Sequence, residues 1–195
     1  MENKYLTLAR QARADGNTED AKLYYGKLRE EMPEDAEAKF FYAYFAMYEG
    51  KNGEIPKRFE TVCKALFSSI SLVKASEQSA EDKLSVINEI VSAFVPETWA
   101  LNRYMNKKNH ETKVGNSYVT VFEMTTVINV SKMGMKSLCK LGDEIINAFG
   151  SGKEVGDIAV IAWKEYVSLC QKWYAWAPKG DADAYAEKIK KFCPG

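Results

Sequence analysis

From Phe40 to Tyr48 every residue is aromatic, methionine or alanine. Wound as a helix, this run is apolar on every face, and such a helix must be covered on every face. It is far shorter than the ~20 apolar residues a membrane crossing needs. The run therefore predicts a central helix, over residues 36–49, in a soluble all-helical domain. Its outer side, at Tyr44, Met47 and Tyr48, is either the floor of a binding groove or a seat for later helices.

The preceding segments read as a helical hairpin. Tyr5, Leu8, Ala9 and Ala12 recur at helical spacing over residues 2–15. Asp15-Gly16-Asn17 ends that helix, glycine supplying a left-handed cap. Thr18 is expected to cap the second helix, with Glu19 and Asp20 in its first turn, where the helix dipole favours acids. Ala21, Tyr25 and Leu28 form its apolar face, and Pro33 stops it. The short turn implies antiparallel partners.

These residues resemble the tetratricopeptide repeat, a 34-residue helix pair closed by proline. With Pro33 as the closing residue, Tyr5 takes the first bulky position, Leu8 and Ala9 the Leu-Gly position, and Ala12 the next aromatic one. Ala21, Tyr25 and Leu28 fall at the small, aromatic and small positions of the second helix. Ala12 is smaller and Leu28 larger than the family pattern. A second unit, from Ala36, matches through Tyr42, Ala43 and Ala46, but its turn, residues 50–56, is too long. The resemblance covers residues 2–50. It implies a concave peptide-binding face lined by the first helix of each pair. Carried over, that face holds Leu6, Arg10, Arg13, Phe40, Tyr44 and Met47, after Asn3 at its edge. Such a basic and aromatic strip suits an acidic or carboxylate-ended peptide. Later helices covering the same positions as core is the competing arrangement.

Pro56 opens a fourth helix, with Phe59, Val62, Cys63, Leu66, Phe67, Ile70 and Val73 inward. A fifth helix is expected from Glu81 to Phe94, broken by Pro96, followed by a short helical piece to Met105. Residues 106–113, the most polar run, read as an exposed connection. Residues 116–130 contain β-branched stretches that suit a strand, but no partner strand with turn chemistry is evident, so a helix is expected. It continues to Phe149 and stops at Gly150-Ser-Gly152. A long aromatic helix follows over 153–176, with Ile158, Ile161, Ala162, Tyr166, Leu169 and Trp173 inward. A last helix starts at Asp181 or Asp183, with Tyr185, Ile189 and Phe192 on one stripe. The expected architecture is a single all-α domain over 1–195: antiparallel hairpins over 2–75, then an irregular bundle over 81–195 that completes the core.

Lys+Arg and Asp+Glu both number 27. That balance argues against nucleic acid as a partner and gives no reason for an anionic membrane. Cys63, Cys139, Cys170 and Cys193 form no Cys-x-x-Cys half-site, so no zinc site is expected. His110, the single histidine, sits in the polar run and reads as solvated, since a general base needs positioned partners. Gly150-Ser-Gly-Lys153 lacks the phosphate-loop context: Asn147 and Glu154 stand where glycine and Ser/Thr belong. Arg103, Lys107, Lys108 and Lys113 read as a solvated cluster. The N-terminus leads into an amphipathic helix without a signal-peptide core, giving a cytoplasmic expectation.

No cofactor, metal or catalytic residue is expected. The leading function is a non-enzymatic helical scaffold or protein–protein interaction domain with a protein or peptide partner. The alternative is a small-molecule or lipid-binding helical protein with an aromatic pocket around Trp163, Trp173 and Tyr44.

Overall fold

Short polar side chains fix where the first helices begin. Asn3 accepts a hydrogen bond from the Tyr5 N–H at 2.8 Å, Asn17 from Asp20 at 3.2 Å, and Asp35 from Ala38 at 2.8 Å. Each satisfies a donor that the helix itself leaves unpaired. They open α1 (Lys4–Ala14), α2 (Thr18–Glu31) and α3 (Ala36–Phe45). The cap of α2 is thus Asn17, with Thr18 its first helical residue. Gly16 takes a φ of +72° between α1 and α2, a conformation a side chain would strain.

The computed structural model describes residues 3–111, 113–114, 117–118, 124–172 and 179–193. The protein is all-α. Five more helices follow: α4 (Ile55–Ala75), α5 (Ala80–Glu111), α6 (Met124–Phe149), α7 (Lys153–Lys172) and α8 (Lys179–Phe192). No helix among the described residues is long and apolar enough to cross a membrane. The chain divides into two compact units, Met1–Val86 and Ile87–Gly195, with the division inside α5.

In the first unit α1 packs on α2, α2 on α3 and α3 on α4. The core is built from Ala9, Ala12, Ala21, Tyr25, Leu28, Phe40, Phe41, Met47, Phe59, Val62, Leu66 and Ile70, all buried. Ser69, fully buried on α4, donates to the Ala36 carbonyl at 2.8 Å and so ties α4 to the start of α3. Phe67 is only half-buried.

In the second unit α6 packs on α7 and α7 on α8. Gly150, at φ +87°, makes the turn out of α6. Leu138, Leu141 and Ile145 of α6 and Ile158, Ala162, Trp163 and Leu169 of α7 are buried, whereas Ile161, expected inward, is exposed. Trp173 and the expected end of this helix at residue 176 lie outside the described residues.

Four further sequence expectations need correction. The helix of the aromatic run stops at Phe45 because Arg58 of α4 captures the backbone beyond it. Its Nε donates to the Met47 carbonyl at 2.9 Å and its Nη2 to the Lys51 carbonyl at 2.8 Å. Next, Pro96 lies inside α5 and does not break it. The ring removes the bond to the Ser92 carbonyl, but Pro96 and Ser92 both face outward, where water can serve that acceptor. Residues 106–111 form the last turns of α5, not a connection; they hold neither Gly nor Pro, and Lys and Glu favour a helix. Lastly, Lys113–Val114 (β1) pairs antiparallel with Ser117–Tyr118 (β2), so residues 117–118 of the expected helix over 116–130 are strand, while Met124 onward is helix as expected and residues 119–123 lie outside the described residues. The intervening Gly115-Asn116 is a two-residue hairpin sequence, a turn signal the periodicity overshadows.

Candidate functional site

Of the six residues in the strip carried over by resemblance, Phe40 and Met47 are fully buried and present no surface to a partner. Tyr44 is half-buried, its ring stacked on Phe40 at 5.8 Å and edge-on to Phe45 at 5.2 Å. Arg13 places its guanidinium 4.1 Å over the Phe41 ring. Arg10 donates through Nε to Glu37 Oε2 at 3.1 Å and through Nη2 to Oε1. Both arginines thereby join α1 to α3, although Arg10 keeps part of its side chain in water.

Leu6 and Arg10 do share a cleft of about 340 Å³ with Glu34, Asp35, Glu37 and the C-terminal turns of α4. Three carboxylates to one guanidinium line it, so it is acidic where the sequence pointed to a basic strip. Burial, then the charge of Glu37, raises the Asp35 carboxyl above its ordinary value, against the pull of the hydrogen bond it accepts from Ala38. That carboxylate is occupied in capping α3.

The basic surface lies elsewhere. A groove of about 550 Å³ runs along α3 and α4 and is closed on one side by Arg29 of α2. Its α3 wall is Lys39, Tyr42, Ala43 and Ala46, an i, i+3, i+4, i+7 stripe, and its α4 wall includes Arg58, Thr61, Ala65 and Ser68, an i, i+3, i+7, i+10 stripe. Lys64 completes the lining. Four cations, a phenol and two hydroxyls thus surround a floor of alanine methyls.

The α2 helix holds Tyr42 in place. A Cβ on Gly26 would sit 3.3 Å from Tyr42 Cε2, so the absent side chain lets the ring lie against α2. Arg29 is 4.3 Å over the ring centroid and Lys22 Nζ 5.7 Å from it. Lys22 is further paired with Glu49. The four groove cations are not equivalent. Arg58 is committed to the backbone of the α3–α4 connection and to Glu54 at 2.7 Å. Lys64 pairs with Glu60 at 2.6 Å. Lys39 and Arg29 have no carboxylate partner among the described residues; Arg29 rests on Tyr42 alone.

Trp163, one wall of the alternative aromatic pocket, is almost fully buried. Tyr185 and Phe192 of α8 lie 6.2 and 5.6 Å from it, and its Nε1 donates to the Cys139 carbonyl at 3.3 Å. The protein's own helices thus fill the space beside this ring. Tyr44 belongs to the first unit and Trp163 to the second. His110 is in the last turn of α5. No group of three or more metal-ligating side chains occurs among the described residues.

No family model, curated protein or solved structure matches the chain.

Sequence reasoning missed the α3–α4 groove, though Lys39, Tyr42, Ala43 and Ala46 were there to be read. Counting alanine with the aromatics made α3 look apolar all round. Alanine on a face between larger neighbours leaves a trough.

Proposed function

We propose that the chain is a non-enzymatic helical scaffold or protein–protein interaction module, tetratricopeptide-like in its first helices, and that it binds its partner in the α3–α4 groove. The observation that carries this reading is the groove itself, a trough between two helix stripes with cations along it and a floor of small residues. Binding segments of other proteins commonly seat side chains in such troughs between helices. The serial packing of α1 on α2 on α3 on α4 supports the repeat-like part of the reading. The lining groups hold and orient an anion; they do not pair an acid with a base, as proton-transfer chemistry needs. The four free thiols fit a reducing compartment, and we place the protein in the cytoplasm.

The test fills the trough without changing its charge. Immobilised wild-type protein and an Ala43→Trp variant are used to capture partners from lysate of the native cells, with identification by mass spectrometry. Circular dichroism first checks that the variant is folded. A protein retained by wild type and lost from the folded variant is the expected result. Identical retention by both would remove the groove from the function.

A further inference from the structure

Lys39 and Arg29 stand at the groove with no carboxylate partner among the described residues. Within the first unit, Arg10, Lys22, Arg58 and Lys64 are each matched to an acid. Lys39 and Arg29 face the same groove, over the alanine floor, and its lining brings four cations and no carboxylate. Resting on the reading above, we infer that the groove is a docking site for an acidic segment of a partner protein, with Lys39 and Arg29 reading its carboxylates. The alanine floor takes an apolar side chain of that segment.

Charge complementarity singles out this occupant. A polar groove in water needs no counter-charge to be stable, but a ligand that brings carboxylates to Lys39 and Arg29 gains attraction without first breaking ion pairs. Arg58 already makes its bonds to the α3–α4 connection, so it shapes the site and adds field. Lys64 lies six residues beyond Arg58 on α4, about 9 Å along the axis. The cations are therefore strung along the trough, which fits a row of carboxylates better than a single phosphate. A nucleic acid would need a broad basic field, and here the total charge is zero.

Tyr42 adds specificity. Its ring is held between Gly26 and the Arg29 guanidinium. A carboxylate drawn to Arg29 therefore meets a guanidinium already oriented by stacking, so less side-chain freedom is lost on binding.

The probe is a labelled peptide of repeating Glu-Leu-Glu-Ala units, compared with the same peptide carrying Gln for every Glu. Binding to the full chain is followed by fluorescence anisotropy and by amide chemical shifts. The Glu peptide should bind, move the signals of α3 and α4 around Lys39, Ala43 and Thr61, and weaken as salt is raised. The Gln peptide should bind roughly tenfold more weakly or not at all. An Arg29→Glu/Lys39→Glu variant should lose the Glu peptide and gain one carrying Lys in place of Glu; that exchange of preference cannot come from unfolding. Equal binding of the Glu and Gln peptides in the groove would overturn the acidic preference and leave the groove reading intact. No shift around the groove with either peptide would overturn the docking site as inferred, while the Ala43→Trp capture judges the wider reading. Tighter occupation by inorganic phosphate or a DNA duplex than by the Glu peptide would overturn it in favour of a phosphate ligand.

Discussion

The indole of Trp163 lies so close to Gly142 that a Cβ on that glycine would fall 2.3 Å from Nε1. The missing side chain is what lets α7 seat its largest buried residue against α6. Gly142→Ala makes the contact testable. Alanine is the better helix former by about 1 kcal/mol, so propensity alone predicts stabilisation. Overpacking a buried site costs about 1–3 kcal/mol, and with a rigid indole on the other side the upper part of that range applies. Denaturant unfolding should show a net loss of about 2 kcal/mol; a gain would mean the indole moves aside freely.

One carboxylate ties α8 to α6. Asp143 of α6 accepts from the Tyr185 hydroxyl and from Lys188 Nζ, each at 2.7 Å. Asp143→Ala should cost about 1 kcal/mol, since both bonds are charge-assisted but partly exposed to water. Hydrogen exchange should rise in the amides of α8 while those of α1–α4 hold. Uniform exchange along the chain after the substitution would show that Asp143 does not anchor α8.

Glu37 is 4% exposed, and Arg10 is its ion-pair partner. Arg10→Met would leave a buried carboxylate without its counter-charge. The loss should be about 2 kcal/mol, below that of a fully buried pair because Arg10 reaches water. Arg10→Met/Glu37→Met should recover most of it. If the double variant is no better than the single, the pair is not what holds α1 to α3.

Tyr25 is fully buried, and its hydroxyl has no hydrogen-bond partner among the described residues. Tyr25→Phe should therefore raise the melting temperature, by an amount corresponding to about 1 kcal/mol. There is also a pH signature. Burial, then the nearby Glu37 charge, raises the phenol above its ordinary pKa of 10.0. The unfolded chain releases this proton first, so folded stability falls as the pH climbs above about 10. Tyr25→Phe removes that ionisation, and the variant should hold its fold further into alkali than wild type. A lower melting temperature would show that the hydroxyl is satisfied.

The helical hairpins were legible because their signals are local. Asp15-Gly16-Asn17 and Gly150-Ser-Gly152 announce chain reversals by composition, and the apolar spacing of α4 gives its buried face directly. What escaped depended on partners distant in the chain. Nothing near Tyr44 says that Arg58 will take the carbonyls of Met47 and Lys51 and end the helix early. Nothing near Pro96 says that it will lie on an outward face, where a missing hydrogen bond is tolerated. Arg10 and Arg13 looked like ligand-binding cations because residues 2–15 do not reveal that Glu37 and Phe41 face them.

The serial packing of α1 to α4 bears on how the first unit comes to be folded. Each helix leans chiefly on its neighbour in the chain, and even the Ser69–Ala36 bond joins adjacent helices. Few large loops must be closed before contacts begin to reward the chain, which puts this unit among topologies that fold in roughly microseconds to milliseconds. On the ribosome the α1–α2 hairpin can pair while α3 is still being made, and each new helix finds its surface already waiting.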